Sequence, residues 1–70
     1  MIFDTLTKRE KEVLDYLICG FSNEEIARLL FFSEGWINAI VMRLYEKYQI
    51  DYKPHRVKLV LKRLKEMGKI

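Results

Sequence analysis

The chain has 70 residues, half of them hydrophobic and a third charged, with one cysteine, one histidine and a formal net charge of +3. That is one domain of soluble globular composition, and a domain this small buries only about 60% of its unfolded surface, which leaves little room for an enclosed catalytic pocket. Cys19 has no internal disulfide partner, Cys19 and His55 alone cannot build a structural zinc site, no apolar run approaches the ~18–20 residues of a membrane span, and the N-terminal residues lack the regions of a signal peptide.

The charge is unevenly placed. Residues 1–35 hold four basic and seven acidic groups (net −3), and residues 36–70 hold nine basic and three acidic groups (net +6). An anionic partner for the second half, such as nucleic acid or a membrane surface, would explain this asymmetry; Lys-rich solvated helix faces would explain it equally well.

Taken in chain order, the apolar spacing predicts four helices, approximately 7–19, 23–30, 34–48 and 54–67, in a single domain over residues 1–70. Thr7 and Glu10 form a capping box at the first start, Val13, Leu14, Leu17 and Ile18 share its buried face, and Gly20 stops it. Ser22 and Glu25 repeat the box before a short helix whose buried side is Ile26, Leu29 and Leu30. Ser33 caps a third, with Ile37, Ile40, Val41, Leu44 and Tyr48 in one stripe. Pro54 suits the first turn of a fourth, whose buried stripe is expected to be Val57, Val60, Leu61, Leu64 and Met67 before Gly68. With no strand signal, the fold class is all-α.

A short helix, a turn of about three residues and a longer helix with a polar outer face make the layout of a helix-turn-helix, whose second helix can enter the ~12 Å major groove. The run Leu6-Thr7-Lys8-Arg9-Glu10-Lys11-Glu12-Val13-Leu14 resembles the LTxRExEVL opening of LuxR/GerE-type helix-turn-helix domains. Gly20-Phe21-Ser22-Asn23-Glu24-Glu25-Ile26-Ala27 is similar to the GxSNKEIA segment of that family. Leu30, Ser33, Glu34, Gly35 and Lys47 extend the likeness, which covers about residues 6–61 and is nearest to the stand-alone, GerE-like members. The resemblance implies a four-helix, non-enzymatic, sequence-specific DNA-binding regulator of transcription, cytoplasmic and nucleoid-associated, with double-stranded DNA as partner and neither cofactor nor metal. No receiver or ligand-binding domain is visible, so any signal is expected to arrive through abundance or a partner.

Where the family usually continues Thr-Val-Lys-x-His, this chain reads Trp36-Ile37-Asn38-Ala39-Ile40. Arg56 replaces the usual Ala of helix four, and Tyr48 the usual Leu near the end of helix three. Trp36, Asn38, Ala39, Met42 and Arg43 are the expected base contacts, Arg43 suiting a guanine edge and Asn38 an adenine. Ser22, Asn23, Lys47, Lys53 and Arg56 are the expected phosphate contacts, the first two through helix-two amides. Three readings of Trp36 stay open: a contact to a thymine methyl or sugar, a fold-back over Phe32, or an anchor for a protein partner. The last, with Ala39 and Met42, defines an alternative function as a protein-interaction module that no longer binds DNA.

Lys58, Lys62, Lys65 and Lys69 line one face of helix four, which the resemblance makes the dimerisation helix, and four like charges would repel across a two-fold axis. That leaves Leu59, Arg63 and Glu66 as the expected homodimer interface. The apolar side of helix four is expected to be committed to the core, so no membrane contact is expected. The remaining aromatics read mainly as core, Cys19 as a small buried hydrophobe, and His55 as a surface residue at a helix start.

Overall fold

The computed structural model describes all 70 residues, Met1–Ile70. A 3-10 turn (Ile2–Thr5) leads into α1 (Lys8–Ile18), α2 (Asn23–Leu30), α3 (Glu34–Lys47) and α4 (His55–Glu66), and the fold is all-α. No helix is long and apolar enough to cross a membrane.

The first three helices begin where a side-chain oxygen meets an amide that no earlier turn can satisfy. Thr7 Oγ1 accepts from the Glu10 amide at 3.2 Å while Glu10 Oε1 accepts from the Thr7 amide at 2.8 Å. Ser22 and Glu25 repeat the reciprocal pair at 3.1 and 2.8 Å, and Ser33 Oγ accepts from the Trp36 amide at 3.1 Å. Gly20 supplies the left-handed residue after α1, with φ +93°. After α2 that conformation falls to Phe31 (φ 60°), and the Phe32 amide returns to the Ala27 carbonyl at 2.9 Å. A phenylalanine held there costs roughly 1–2 kcal/mol that a glycine would not.

α3 is the axis of the packing. Ile37, Ile40, Val41 and Leu44 are buried along one stripe, and Tyr48 closes its C-terminal end. Leu6, Val13, Leu14 and Leu17 meet that stripe from α1 and the segment before it, and Ile26 and Ala27 meet it from α2. Before α4, four residues expected inside are not, among them Tyr52, 63% exposed in the segment that leads to α4. Leu29 is 47% exposed, because an eight-residue helix turned towards α3 by Ile26 and Ala27 cannot also bury its opposite flank. Phe31, at 94% exposure, is thrown outward by its left-handed backbone, and Cys19 is exposed at the C-terminal cap of α1.

α4 shows the largest departure from expectation. Its buried residues are Leu59 and Arg63, whereas Val57, Leu61 and Met67 are exposed and Val60 and Leu64 only half-buried. Leu59 is fully buried, so it cannot be the centre of a dimer contact, and Arg63 and Glu66 lie on the same inward side. Polar clasps fix this rotation. The Tyr48 hydroxyl donates to Glu66 Oε1 at 2.6 Å, the Phe3 amide to Glu66 Oε2 at 3.4 Å, and Lys62 Nζ to the Tyr48 carbonyl at 2.7 Å. The Arg63 guanidinium lies 3.5 Å from the Phe3 ring centre and 3.4 Å from Glu66 Oε1, while its Nε is buried without a hydrogen bond. Burial and the bond to Glu66 push the Tyr48 phenol well above its ordinary range, so it stays protonated and acts as a donor.

Burial alone would raise the Glu66 pKa, but the Tyr48 hydroxyl, the Phe3 and Ile2 amides and Arg63 together hold it below the ordinary carboxylate value of 4.5. The unfolded chain therefore binds this proton more tightly than the folded chain. The stabilisation is complete above the unfolded pKa and is lost as pH falls through the lower folded value. Urea midpoints followed from about pH 7 to pH 3 are expected to drop below about pH 4.5. Glu66→Gln should lower the neutral plateau by roughly 1–3 kcal/mol and make the acid drop shallower. A wild-type midpoint indifferent to acid would contradict this assignment.

Candidate nucleic-acid interface

The buried stripe of α3 dictates what the helix presents outward. Trp36, Asn38, Ala39, Met42, Arg43 and Glu46 are all exposed, on the side not committed to Ile37, Ile40, Val41 and Leu44. All five expected base-contact residues therefore lie on one solvent-facing surface. Ile40, at the family's usual histidine position, is buried and has left that surface.

Trp36 lies against Phe32 without being covered by it. Its ring centroid lies 6.2 Å from that of Phe32, yet the residue remains 47% exposed. The Arg9 guanidinium stands 4.7 Å from the Phe32 ring centre on one side, and Arg43 lies 6.0 Å from Trp36 on the other. Two neighbouring aromatic rings thus each carry a guanidinium, and Trp36 favours holding the long Arg43 side chain next to the outer face of α3. Arg9 was not among the expected contact residues, although it is the arginine of the LTxRExEVL-like run.

The expected phosphate contacts divide into three groups. Ser22 and Asn23 open α2 beside α3, where the Asn23 Nδ2 group donates to Asn38 Oδ1 at 2.7 Å. Ser22 is partly committed, since its amide and hydroxyl oxygen bind Glu25 and hold that carboxyl below its usual range. The first helical amides, at Asn23 and Glu24, lie before the reach of intrahelical bonding and suit an anion. Arg56 reaches the same place from α4: Nη1 donates to Asn23 Oδ1 at 2.9 Å and Nη2 to the Phe21 carbonyl. Lys53 is exposed in the segment between α3 and α4.

Lys47 belongs elsewhere. Its ammonium lies 2.7 Å from Glu10 Oε1, the oxygen that also accepts from Thr7, so it ties the end of α3 to the start of α1. Glu10 is only 2% exposed. Burial opposes its ionisation, but Lys47 and the Thr7 amide and hydroxyl outweigh burial and hold its pKa below the ordinary value. A lysine so engaged clamps the two helices together, and its charge is already paired with Glu10. The residues expected to make the dimer interface, Leu59, Arg63 and Glu66, are likewise absent from the outer surface.

A capped short helix, a three-residue turn and a longer helix with Trp36, Asn38 and Arg43 outward define a helix-turn-helix module of the DNA-binding, transcription-regulating class. Residues 4–62 match the family model of the bacterial regulatory proteins of the luxR family, GerE, and the chain belongs to that family. It is 42% identical over 52 residues to the CsgBAC operon transcriptional regulatory protein of Escherichia coli (strain K12), covering 74% of this chain and 24% of that protein. The oxygen regulatory protein NreC of Staphylococcus carnosus (strain TM300) is 36% identical over 61 residues, covering 87% of this chain and 28% of NreC. The chain thus spans about a quarter of the length of these relatives. No solved structure gives a significant match.

Replacing Lys47 by Met should lower stability by about 1–2 kcal/mol, discounted for the partly exposed ammonium, and leave a buried carboxylate without its cation. A domain of this size should then melt several degrees lower, at about 4–8 °C per kcal/mol. The salt dependence of DNA binding should stay as in the wild type. A flattened salt dependence with unchanged melting would restore Lys47 to the phosphate contacts.

Proposed function

We propose that residues 1–70 act as one helix-turn-helix domain that binds duplex DNA sequence-specifically, with α3 in the major groove and the start of α2 on a flanking phosphate. The observation that carries this reading is the hydrogen bond from Asn23 to Asn38, which fixes the phosphate-facing end of α2 against the base-facing side of α3. Arg43 and Asn38 read base edges, Trp36 packs beside them, and Lys53 and Arg56 add positive charge at the flank. The reaction is binding alone, with no catalytic step. Docking of a protein on Trp36, Ala39 and Met42 is the weaker reading, because Trp36 stands against Phe32 with Arg43 alongside, and a cation at that place suits an anionic partner.

Binding to a mixed-sequence duplex should weaken with salt, log affinity falling against log salt with a slope near −0.9 for each phosphate contact. Lys53→Ala is expected to flatten that slope by about one contact's worth and weaken all sequences alike. Arg43→Ala should instead cost roughly 1–3 kcal/mol of discrimination at one base pair. A wild-type protein without salt-dependent affinity for any duplex would overturn the proposal.

Pairing of two copies through α4 is part of the same reading, on a different face from the one the sequence suggested. Val57 and Leu61 are exposed, with Val60 and Leu64 half-buried beside them, and such an apolar row suits a self-complementary contact. A dimer built on it would favour half-sites about one helical turn, ~34–36 Å, apart. Leu61→Glu should give a monomeric mass in sedimentation equilibrium at concentrations where the wild type is dimeric, without loss of helicity. A monomeric wild type at millimolar concentration would remove the dimer from the proposal.

A further inference from the structure

Two residues that depart from the family pattern, Asn38 and Arg56, are joined through a third, Asn23. The chain of donors runs in one direction only. A guanidinium has five N–H donors and no acceptor, so the group of Asn23 that meets Arg56 Nη1 at 2.9 Å is its oxygen. That choice turns the Asn23 NH2 towards α3, where it meets Asn38 at 2.7 Å. Facing a donor, Asn38 in turn presents its oxygen inward. The Asn38 amide thus turns its NH2 group, with both protons, towards a ligand, and its oxygen, already bonded once, towards Asn23. Arg56 cannot reverse this order, because its guanidinium has no acceptor atom to offer and is also held by the Phe21 carbonyl.

We infer that Arg56, acting through Asn23, turns the Asn38 NH2 group outward and its oxygen inward, so that this position reads guanine rather than the adenine an unrestrained asparagine prefers. Adenine recognition by asparagine uses the amide oxygen as acceptor for N6–H and the amide nitrogen as donor to N7. Here the oxygen is turned towards Asn23 and away from the position that N6–H would take. Guanine is the one base whose major-groove edge offers two adjacent acceptors, O6 and N7. Arg56 and Asn23 are positioning residues in this scheme, and Asn38 makes the contact. The inference rests on the proposed placement of α3 in the major groove.

The test is selection of bound sites from a randomised duplex pool with the full 70-residue chain. The wild type is expected to enrich guanine at one position that becomes indifferent in Asn38→Ala. Asn23→Asp is near-isosteric, suits the first turn of a helix and can only accept. It should keep the Arg56 contact, force the Asn38 amide to turn over and expose its oxygen. The selected base at that same position should then change from guanine to adenine or cytosine, which carry N6–H and N4–H donors, by a factor on the order of ten. Because added negative charge weakens all sites alike, base identity is the readout and overall affinity is not. Arg56→Met serves as a second variant: it frees Asn23 to rotate, and the guanine preference should relax to guanine or adenine. Adenine selected by the wild type at the Asn38-dependent position, or guanine kept in both variants, overturns the inference while leaving DNA binding intact. A wild type that enriches no duplex overturns both readings.

Discussion

Burial of Ile37, Ile40, Val41, Leu44 and Tyr48 along a single stripe of α3 is the constraint on which the rest of the molecule depends. Each neighbour is placed by what it brings to that stripe: α1 by Val13, Leu14 and Leu17, α2 by Ile26 and Ala27, α4 by Leu59. A helix with one side so fully committed has no freedom to roll, and its opposite side is therefore defined to within a side-chain width. Trp36, Asn38, Ala39, Met42 and Arg43 face solvent because the stripe faces inward. Recognition by a helix needs this rigidity, since a rotation of one residue, about 100°, would replace the whole presented set.

α4 is attached on different terms. It contributes one fully buried apolar side chain to the core, and much of its orientation comes from hydrogen bonds and charge at its two ends. At the C-terminal end Tyr48, Glu66, Arg63 and Phe3 form a closed group, and at the N-terminal end Arg56 binds the α2 start. Such contacts are directional, so they choose a rotation of the helix that hydrophobicity alone would not. They free Val57 and Leu61 for the surface and bury Arg63, leaving its Nε without a partner. Loss of one member should be felt more than the net worth of a typical hydrogen bond suggests, because the remaining groups stay buried.

This contrast explains what was legible in the sequence. The starts of α1, α2 and α3 were readable because a capping residue and its partner lie three positions apart and act locally. The α3 stripe was readable because all its partners are apolar and its period is regular. The face of α4 was not, since its sequence offers two apolar rows of similar strength and the deciding partners, Phe3, Tyr48 and Asn23, lie far away in the chain. The pairing of Lys47 was not legible for a related reason: a capping glutamate is normally a surface group, and only the folded chain brings Glu10 under the end of α3. Among the interface residues, exposure followed from periodicity, whereas the hydrogen-bonding state of Asn38 depends on contacts across 15 and 33 residues of sequence.

Two of the polar departures from the family pattern, Asn38 and Arg56, also look different together than apart. Singly, an asparagine in place of a lysine on α3 removes charge from a nucleic-acid surface, and an arginine in place of alanine on α4 adds a bulky group at a packed junction. Joined through Asn23, the arginine supplies cationic charge on the same surface and finds two acceptors, while the asparagine gains a fixed orientation. A freely rotating asparagine accepts or donates with nearly equal ease and so discriminates weakly among bases. One whose oxygen is already bonded loses less conformational freedom on binding and offers a single pattern to the groove. An outward donor left unsatisfied when a groove closes over it is costly, so a fixed NH2 makes a mismatched base easier to reject.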